Sequence, residues 1–195
     1  GTAGFERQHA LLSLRTEIGI STIGEAMANN RKLFIPTPID MDDGYRKTNI
    51  FEAKAVVETI KACKALFELN GITRSIGVIT PYRAQIALIR EQLQLQGLHP
   101  DDFTVDTVER YQGGARDVII LSLCLNTDTQ LLSLMSLSED GTDRKLNVAL
   151  TRAREHLIII GNPELMSQNA VYRKLLDWLG EGVHLESLSE KQEKI

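Results

Sequence analysis

Cysteine occurs only twice in the 195 residues. Cys63 and Cys124 lie in apolar surroundings, KACKAL and LSLCLN, with no CxxC spacing and no neighbouring histidine. A disulfide scaffold and a cysteine-based zinc site are thereby excluded, leaving two buried free thiols suited to a reducing compartment. His9, His99, His156 and His184 are scattered without metal-ligand spacing. Aromatic residues make up 5%, with one tryptophan, Trp178, expected in the core or at a domain edge after Leu175 and Leu176. No run of about 18 apolar residues and no charged-then-apolar leader is present, so a soluble, cytoplasmic protein with no membrane partner is expected. Basic residues do not dominate either. Lys and Arg total 22 against 26 Asp and Glu, for a formal net charge of -4. Binding to nucleic acid through a global basic field is excluded, because that mode depends on many cations neutralising phosphates. Any such contact has to use a local groove. The sequence also has no G-x-x-x-x-G-K-[ST] segment, and hence no loop of the kind that cradles a triphosphate. No acidic pair at a strand end stands out as a Mg²⁺ site.

What is present describes an ordinary folded domain, with 43% hydrophobic and 25% charged residues. Asn49-Ile50-Phe51-Glu52 has the form of a capping box opening a helix to about Leu69, stopped by Gly71. Ser75 to Thr80 reads as a buried strand ending at Pro81, and Tyr82 to Gln96 as a helix with Ile86, Ile89 and Leu93 on one face. Strands follow at Phe103–Val108 and Val118–Leu123, then a loop over Asn126–Thr142 with a short element near Leu131–Leu137. A helix over Lys145–Arg154, a strand at Leu157–Ile160, a helix at Ala170–Leu179 and a short strand at Val183–Leu185 complete the pattern. Upstream, Glu6–Asn29 reads as helical and Phe34–Pro38 as extended. Strands apolar throughout, separated by helices, call for a mainly parallel sheet covered on both faces. The expected division is a helical and extended segment over 1–48, an α/β domain over 49–186 and a polar tail over 187–195. The chain opens on Gly1-Thr2 instead of Met, and we expect it to be a piece of a longer, monomeric protein.

Three segments carry chemistry. In LNVALTRAREHLIIIGNP, Leu146, Ala149, Leu150 and Ala153 form one helical stripe. Arg144, Val148 and Arg152 flank it on one side, and Asn147, Thr151 and Arg154 on the other. Arg152 is then a guanidinium mounted beside a packed face; the plainer alternative is a solvated helix with Arg154 and Glu155 exposed. In TVERYQGGARD, Gly113-Gly114 lets the backbone pass close to a ligand and present amides to oxygens, although a plain inter-strand loop would also accept two glycines. In GVITPYRAQ, a strand ends where a helix begins, and its first-turn amides favour an anion; alternatively Pro81 simply starts the helix and Tyr82 packs. Asp42-Asp43, ahead of Gly44, reads as a turn.

These segments resemble superfamily 1 helicases, particularly the group containing the nonsense-mediated-decay helicase and senataxin. Leu146–Arg154 resembles that family's motif VI, which implies that Arg152 reaches across a cleft to the γ-phosphate of ATP as an arginine finger. Thr107–Asp117 resembles motif V, implying ATP contacts at Gln112, Gly113 and Gly114. Ala115 stands where many relatives carry a Glu associated with the nucleotide sugar. Gly77–Gln85 resembles the I-T-P-Y-x-x-Q segment, implying single-strand contacts at Thr80, Pro81, Tyr82, Arg83 and Gln85, with Thr107 and Asn147 joining them. Leu14–Ser21 is a more distant match to Q-Y-R-M-H-P-x-I-S: Arg15, Ile20 and Ser21 align, but the Gln-Tyr and His-Pro pairs are absent, so Arg15 is a nucleotide contact or an ordinary surface arginine. The resemblance covers about Asn49–Leu179.

It implies a RecA-like, P-loop NTPase-type three-layer α/β sandwich serving as the second motor domain of an ATP-dependent helicase. ATP and Mg²⁺ would be held mainly by a first RecA-like domain, the partner across the cleft, and the track would be single-stranded DNA or RNA. The group moves 5′ to 3′. Two alternatives stand beside this: a RecA-like domain without motor activity that acts as an interaction module, and one part of a nuclease or repair protein. Arg152 is expected to stand outside the interior, facing the carboxyl ends of the parallel strands.

Overall fold

The computed structural model describes residues 14, 21–42, 47–111, 114–134 and 144–185. Five strands form one sheet: β1 (Lys32–Pro36), β2 (Ile76–Ile79), β3 (Thr104–Asp106), β4 (Arg116–Ser122) and β5 (Ala153–Gly161). Every pairing is parallel and the order is β1-β5-β4-β2-β3. Such a sheet has to be covered on both faces, which is why β2 and the later parts of β4 and β5 are apolar and buried. One face packs on α1 (Thr22–Asn29), α2 (Ile50–Asn70) and α3 (Arg83–Leu95), burying Met27, Ile60, Leu66, Ile89 and Leu93 against Val78, Ile120 and Ile158. On the other lie α4 (Asp128–Leu134), α5 (Arg144–Thr151), α6 (Pro163–Met166) and α7 (Ala170–Leu179), with Leu131, Leu146, Met166 and Leu175 against Ile119, Leu121 and Ile159. This is a three-layer α/β sandwich. Among the described residues no helix is long and apolar enough to cross a membrane.

Local signals set the element ends. The Asn49 side chain accepts the Glu52 N–H and caps α2, and Gly71 closes that helix in the left-handed conformation, φ 63°. The other half of the expected capping box is absent: the Glu52 carboxylate accepts from the N–H groups of Cys124 and Leu125, and Gln85 takes the Asn49 N–H instead. The boundary expected at residue 49 is no edge of the sheet, because β1 precedes it and pairs with β5 from Lys32↔Leu157 to Pro36↔Gly161. Pro36 is tolerated at the end of an edge strand, where a missing N–H costs least. Val183–Leu185 is not a strand; it runs past β1, and Val183 N–H donates to Phe34 O. Trp178 is not core but 49% exposed, with the Lys32 ammonium 4.3 Å from the ring centre. Cys63 and Cys124 are buried free thiols as expected.

Candidate functional site

The polar side chains singled out from the sequence gather at the two opposite edges of the sheet. At the amino edge, α5 ends at Thr151 and β5 begins at Ala153, so Arg152 occupies the turn between them and not the helix expected through Arg154. Sheet pairing stops the helix here. Arg152 N–H still reaches back to Ala149 O at 3.2 Å, but its carbonyl accepts the Arg116 N–H at 2.9 Å, which starts the β4–β5 ladder. The side chain is half-buried, and its Nε is buried with no hydrogen-bond partner. Beside it stands Tyr111, 4% exposed, whose hydroxyl is likewise buried and unpartnered. The phenol lies on Gly77 of β2 so closely that a Cβ there would sit 1.7 Å from its oxygen. The Arg116 guanidinium is 5.7 Å from the Tyr111 ring centre and donates to Thr104 Oγ1 and Ala115 O. Burial pushes the Tyr111 phenol above its ordinary value, while the charges of Arg116 and Arg152 pull it back. Gly114, at φ 151°, closes the group, and a Cβ on it would approach Arg116 Nη1 to 3.1 Å. Other arginines on this edge are matched: Arg74 by Glu155 at 2.8 Å and Arg154 by Asp117 at 3.7 Å.

This location corrects the expectation that Arg152 faces the carboxyl ends of the strands, a placement on which the motor reading of the sequence depended, so that reading has to stand on the chemistry of the site instead. Ligands held by a sheet's own βα loops sit at the carboxyl ends. Arg152 instead comes from an αβ turn, and in a parallel sheet such turns fall at the amino edge.

At the carboxyl edge, β2 runs into Thr80-Pro81-Tyr82-Arg83 and the start of α3. Arg83 is exposed, Pro81 and Tyr82 are partly so, and the Lys47 ammonium lies 5.3 Å from the Tyr82 ring centre. Tyr82 is the N-cap of α3 but makes no side-chain cap bond. Thr107 is in the same neighbourhood, one residue beyond the β2–β3 pair Ile79↔Asp106. Three expectations fail here. Thr80 is 0% exposed, with its hydroxyl buried and unpartnered, and Thr107 is 7% exposed; neither side chain offers itself to a strand. Gln85 is also 0% exposed and points inward. Its Oε1 accepts the Asn49 N–H at 2.9 Å, and its Nε2 donates to Asn49 O at 3.1 Å and Ser122 Oγ at 3.4 Å. Ser122 donates in turn to Glu52 at 3.0 Å, and Asn49 Nδ2 donates to Asn126 Oδ1 at 2.8 Å.

Comparison with known proteins decides the family. Residues 28–164 match the model of a family described as AAA domain. An uncharacterized ATP-dependent helicase of Methanocaldococcus jannaschii is 34% identical over 130 residues, 67% of this chain and 17% of that protein. DNA polymerase alpha-associated DNA helicase A of Schizosaccharomyces pombe is 33% identical over 145 residues, 73% of this chain and 20% of that one. Regulator of nonsense transcripts 1 of Dictyostelium discoideum is 36% identical over 120 residues, 60% of this chain and 9% of that one. The chain belongs to the AAA-domain family of superfamily 1B helicases. It spans a fifth or less of these relatives' own lengths.

Within this helicase domain, the structure brings Arg152 and Gly114 together on one edge and Pro81, Tyr82 and Arg83 on the other. Asn147 is exposed on α5. Gln112, Gly113 and Arg15 lie outside the described residues. Sequence reasoning missed Gly77, Tyr111, Arg116 and Lys47. Gly77 carried a signal, since a glycine inside an otherwise β-branched strand marks a close approach. Among the described residues no cluster of His, Cys, Asp or Glu could hold a metal ion.

Proposed function

We propose that this chain is the second of two RecA-like motor domains in an ATP-dependent helicase or translocase that moves along single-stranded DNA or RNA. In this reading Arg152 is the arginine finger. One observation carries it: the half-buried Arg152, its Nε without a partner, stands beside Arg116, and among the described residues no carboxylate pairs with either guanidinium. Burying donors without acceptors is costly, and a polyanion such as the phosphates of ATP would supply the acceptors. Arginine suits the role because its planar fork donates parallel hydrogen bonds and stays charged. ATP, when bound, supplies the phosphoryl group whose transfer to water releases free energy. The walls that hold ATP and Mg²⁺ would come from the first motor domain, because this sequence has no Walker A segment. Arg152 would complete the site as the cleft closes.

On the carboxyl edge, Arg83, Tyr82 and Lys47 would contact the phosphates of a single strand, a sequence-tolerant mode of grip. The helicase names of the relatives support nucleic acid as the partner. The test is Arg152→Ala in the intact protein. Nucleic-acid-stimulated ATPase should fall roughly 10³-fold or more, the scale of a lost finger, with thermal melting unchanged. Turnover at the parent rate rejects the assignment. A second reading, an interaction module without motor activity, is favoured by Ala115 in place of the family's Glu and by the absent Gln-Tyr and His-Pro pairs around Arg15. It predicts no stimulated turnover even in the unmutated intact protein.

A further inference from the structure

The buried glutamine at the start of α3 has a role that the sequence pattern assigned to direct contact. We propose that Gln85 is a positioning residue: it holds the strand-contacting turn Tyr82-Arg83 from behind, through Asn49 and Ser122. This rests on the reading of that turn as a nucleic-acid contact.

Helix starts are ordinarily fixed by a side-chain cap. Tyr82 provides none, so something else has to set where the first turn of α3 sits. Gln85 lies in that turn, and both ends of its amide are used. The oxygen takes the Asn49 N–H, and the nitrogen serves Asn49 O and Ser122 Oγ. Asn49 is the N-cap of α2 and Ser122 is the last residue of β4. One side chain therefore locks the start of α3 to the start of α2 and to the end of the strand beside β2. Those anchors are themselves held. Glu52 accepts from Ser122 Oγ and from the N–H groups of Cys124 and Leu125 at 2.8 Å each, and Asn126 accepts from Asn49. Each of these bonds gives a buried donor an acceptor, which favours a fixed arrangement of the network. Arg83 is two residues from Gln85 in the same helical turn and exposed. Its direction follows from the lock.

The test uses the intact protein and a fluorescent single-stranded oligonucleotide, with affinity measured across a range of salt concentrations. Arg83→Ala should flatten the plot of log affinity against log salt by about 0.7 if it removes one phosphate contact on a single strand. Gln85→Met keeps the volume, removes no charge and loses all three bonds. It should flatten the plot by the same amount, and the double variant should go no further than either single one. A purely structural role would lower the melting temperature while the folded protein kept the parent slope; that result, or an additive double variant, overturns the proposal. A parent slope in Arg83→Ala would instead sink the reading of the turn as a strand contact, and this proposal with it. Should Gln85→Met not fold, Ser122→Ala decides. It removes one of the three Gln85 bonds, together with the Ser122 bond to Glu52, so a partial flattening supports the lock and a parent slope overturns it.

Discussion

Placing an alanine at Gly77 tests whether the amino-edge site is as tightly built as its geometry indicates. The added Cβ would lie 1.7 Å from Tyr111 Oη, 2.9 Å from Cζ and 3.0 Å from Arg116 Cγ. The phenol has to be displaced by more than an ångström, and Arg116 fills the space alongside. Overpacking of this kind costs about 1–3 kcal/mol, offset by roughly 0.4–1 kcal/mol because alanine restricts the unfolded chain. A net loss of about 1–2 kcal/mol lowers the melting temperature by roughly 2–8 °C for a chain of this size. Tyr111→Phe removes the nearest atom, an unpartnered hydroxyl, and alone should be neutral or slightly stabilising. In that background Gly77→Ala should cost at least about 1 kcal/mol less, a coupling within the range for contacting pairs. Urea unfolding of the four proteins, followed by circular dichroism, measures the cycle. If Gly77→Ala costs the same with tyrosine or phenylalanine at 111, the seating of the phenol on Gly77 is wrong.

Burial lifts the Glu52 carboxyl from 4.5 to about 7, against the bonds from Cys124, Leu125 and Ser122. The unfolded chain ionises first, so this group costs stability progressively as the pH rises from 4.5 to 7, by about 3 kcal/mol in all. The stability of the parent relative to Glu52→Gln should decline across that window, and a pH-independent difference in urea titrations argues against it. His156 is held below its ordinary value chiefly by burial, with Met27 O on its Nε2. The unfolded chain then takes the proton first, and stability is lost as the pH falls from 6.5 towards the lower value of the folded protein. His156→Gln should lack that acid limb; an unaltered limb assigns it elsewhere. Thr80→Val, replacing a buried and unpartnered hydroxyl, should leave stability within about 1 kcal/mol of the parent or raise it. A larger loss would mean that the hydroxyl has a partner.

Much of the architecture could be read from local chemistry. The apolar strands announced a parallel sheet, and Asn49 and Gly71 marked the ends of α2 to within a residue. Arg152 was recognisable as the distinctive side chain, yet its place was misjudged twice. Helical periodicity ran on through Ala153 and Arg154 because nothing local shows that Arg116 will claim the Arg152 carbonyl. Its edge of the sheet depended on strand direction, which periodicity does not give. Gln85 was misassigned for a similar reason: its partners Asn49 and Ser122 lie 36 and 37 residues away in sequence. Glu52 fitted a local box but was drawn instead to backbone amides beyond β4. Long-range pairing overrode the local pattern in each case. The β1 strand was read only as extended, because Pro36 and Pro38 break the pattern of an interior strand.

Thr107 stands beside the outlet of β2 at one rim, while Gly114 and Arg116 stand at the other, with Tyr111 resting on Gly77 between them. The short turn from Thr107 to Tyr111, closed by the Tyr111 N–H on Thr107 O, therefore sets where the phenol lands. Lengthening this turn by one residue would throw the phenol off its glycine, whereas extra residues near Asp128, on the exposed start of α4, would leave that seat untouched. Natural variation in length ought to be tolerated in the second place and purged from the first.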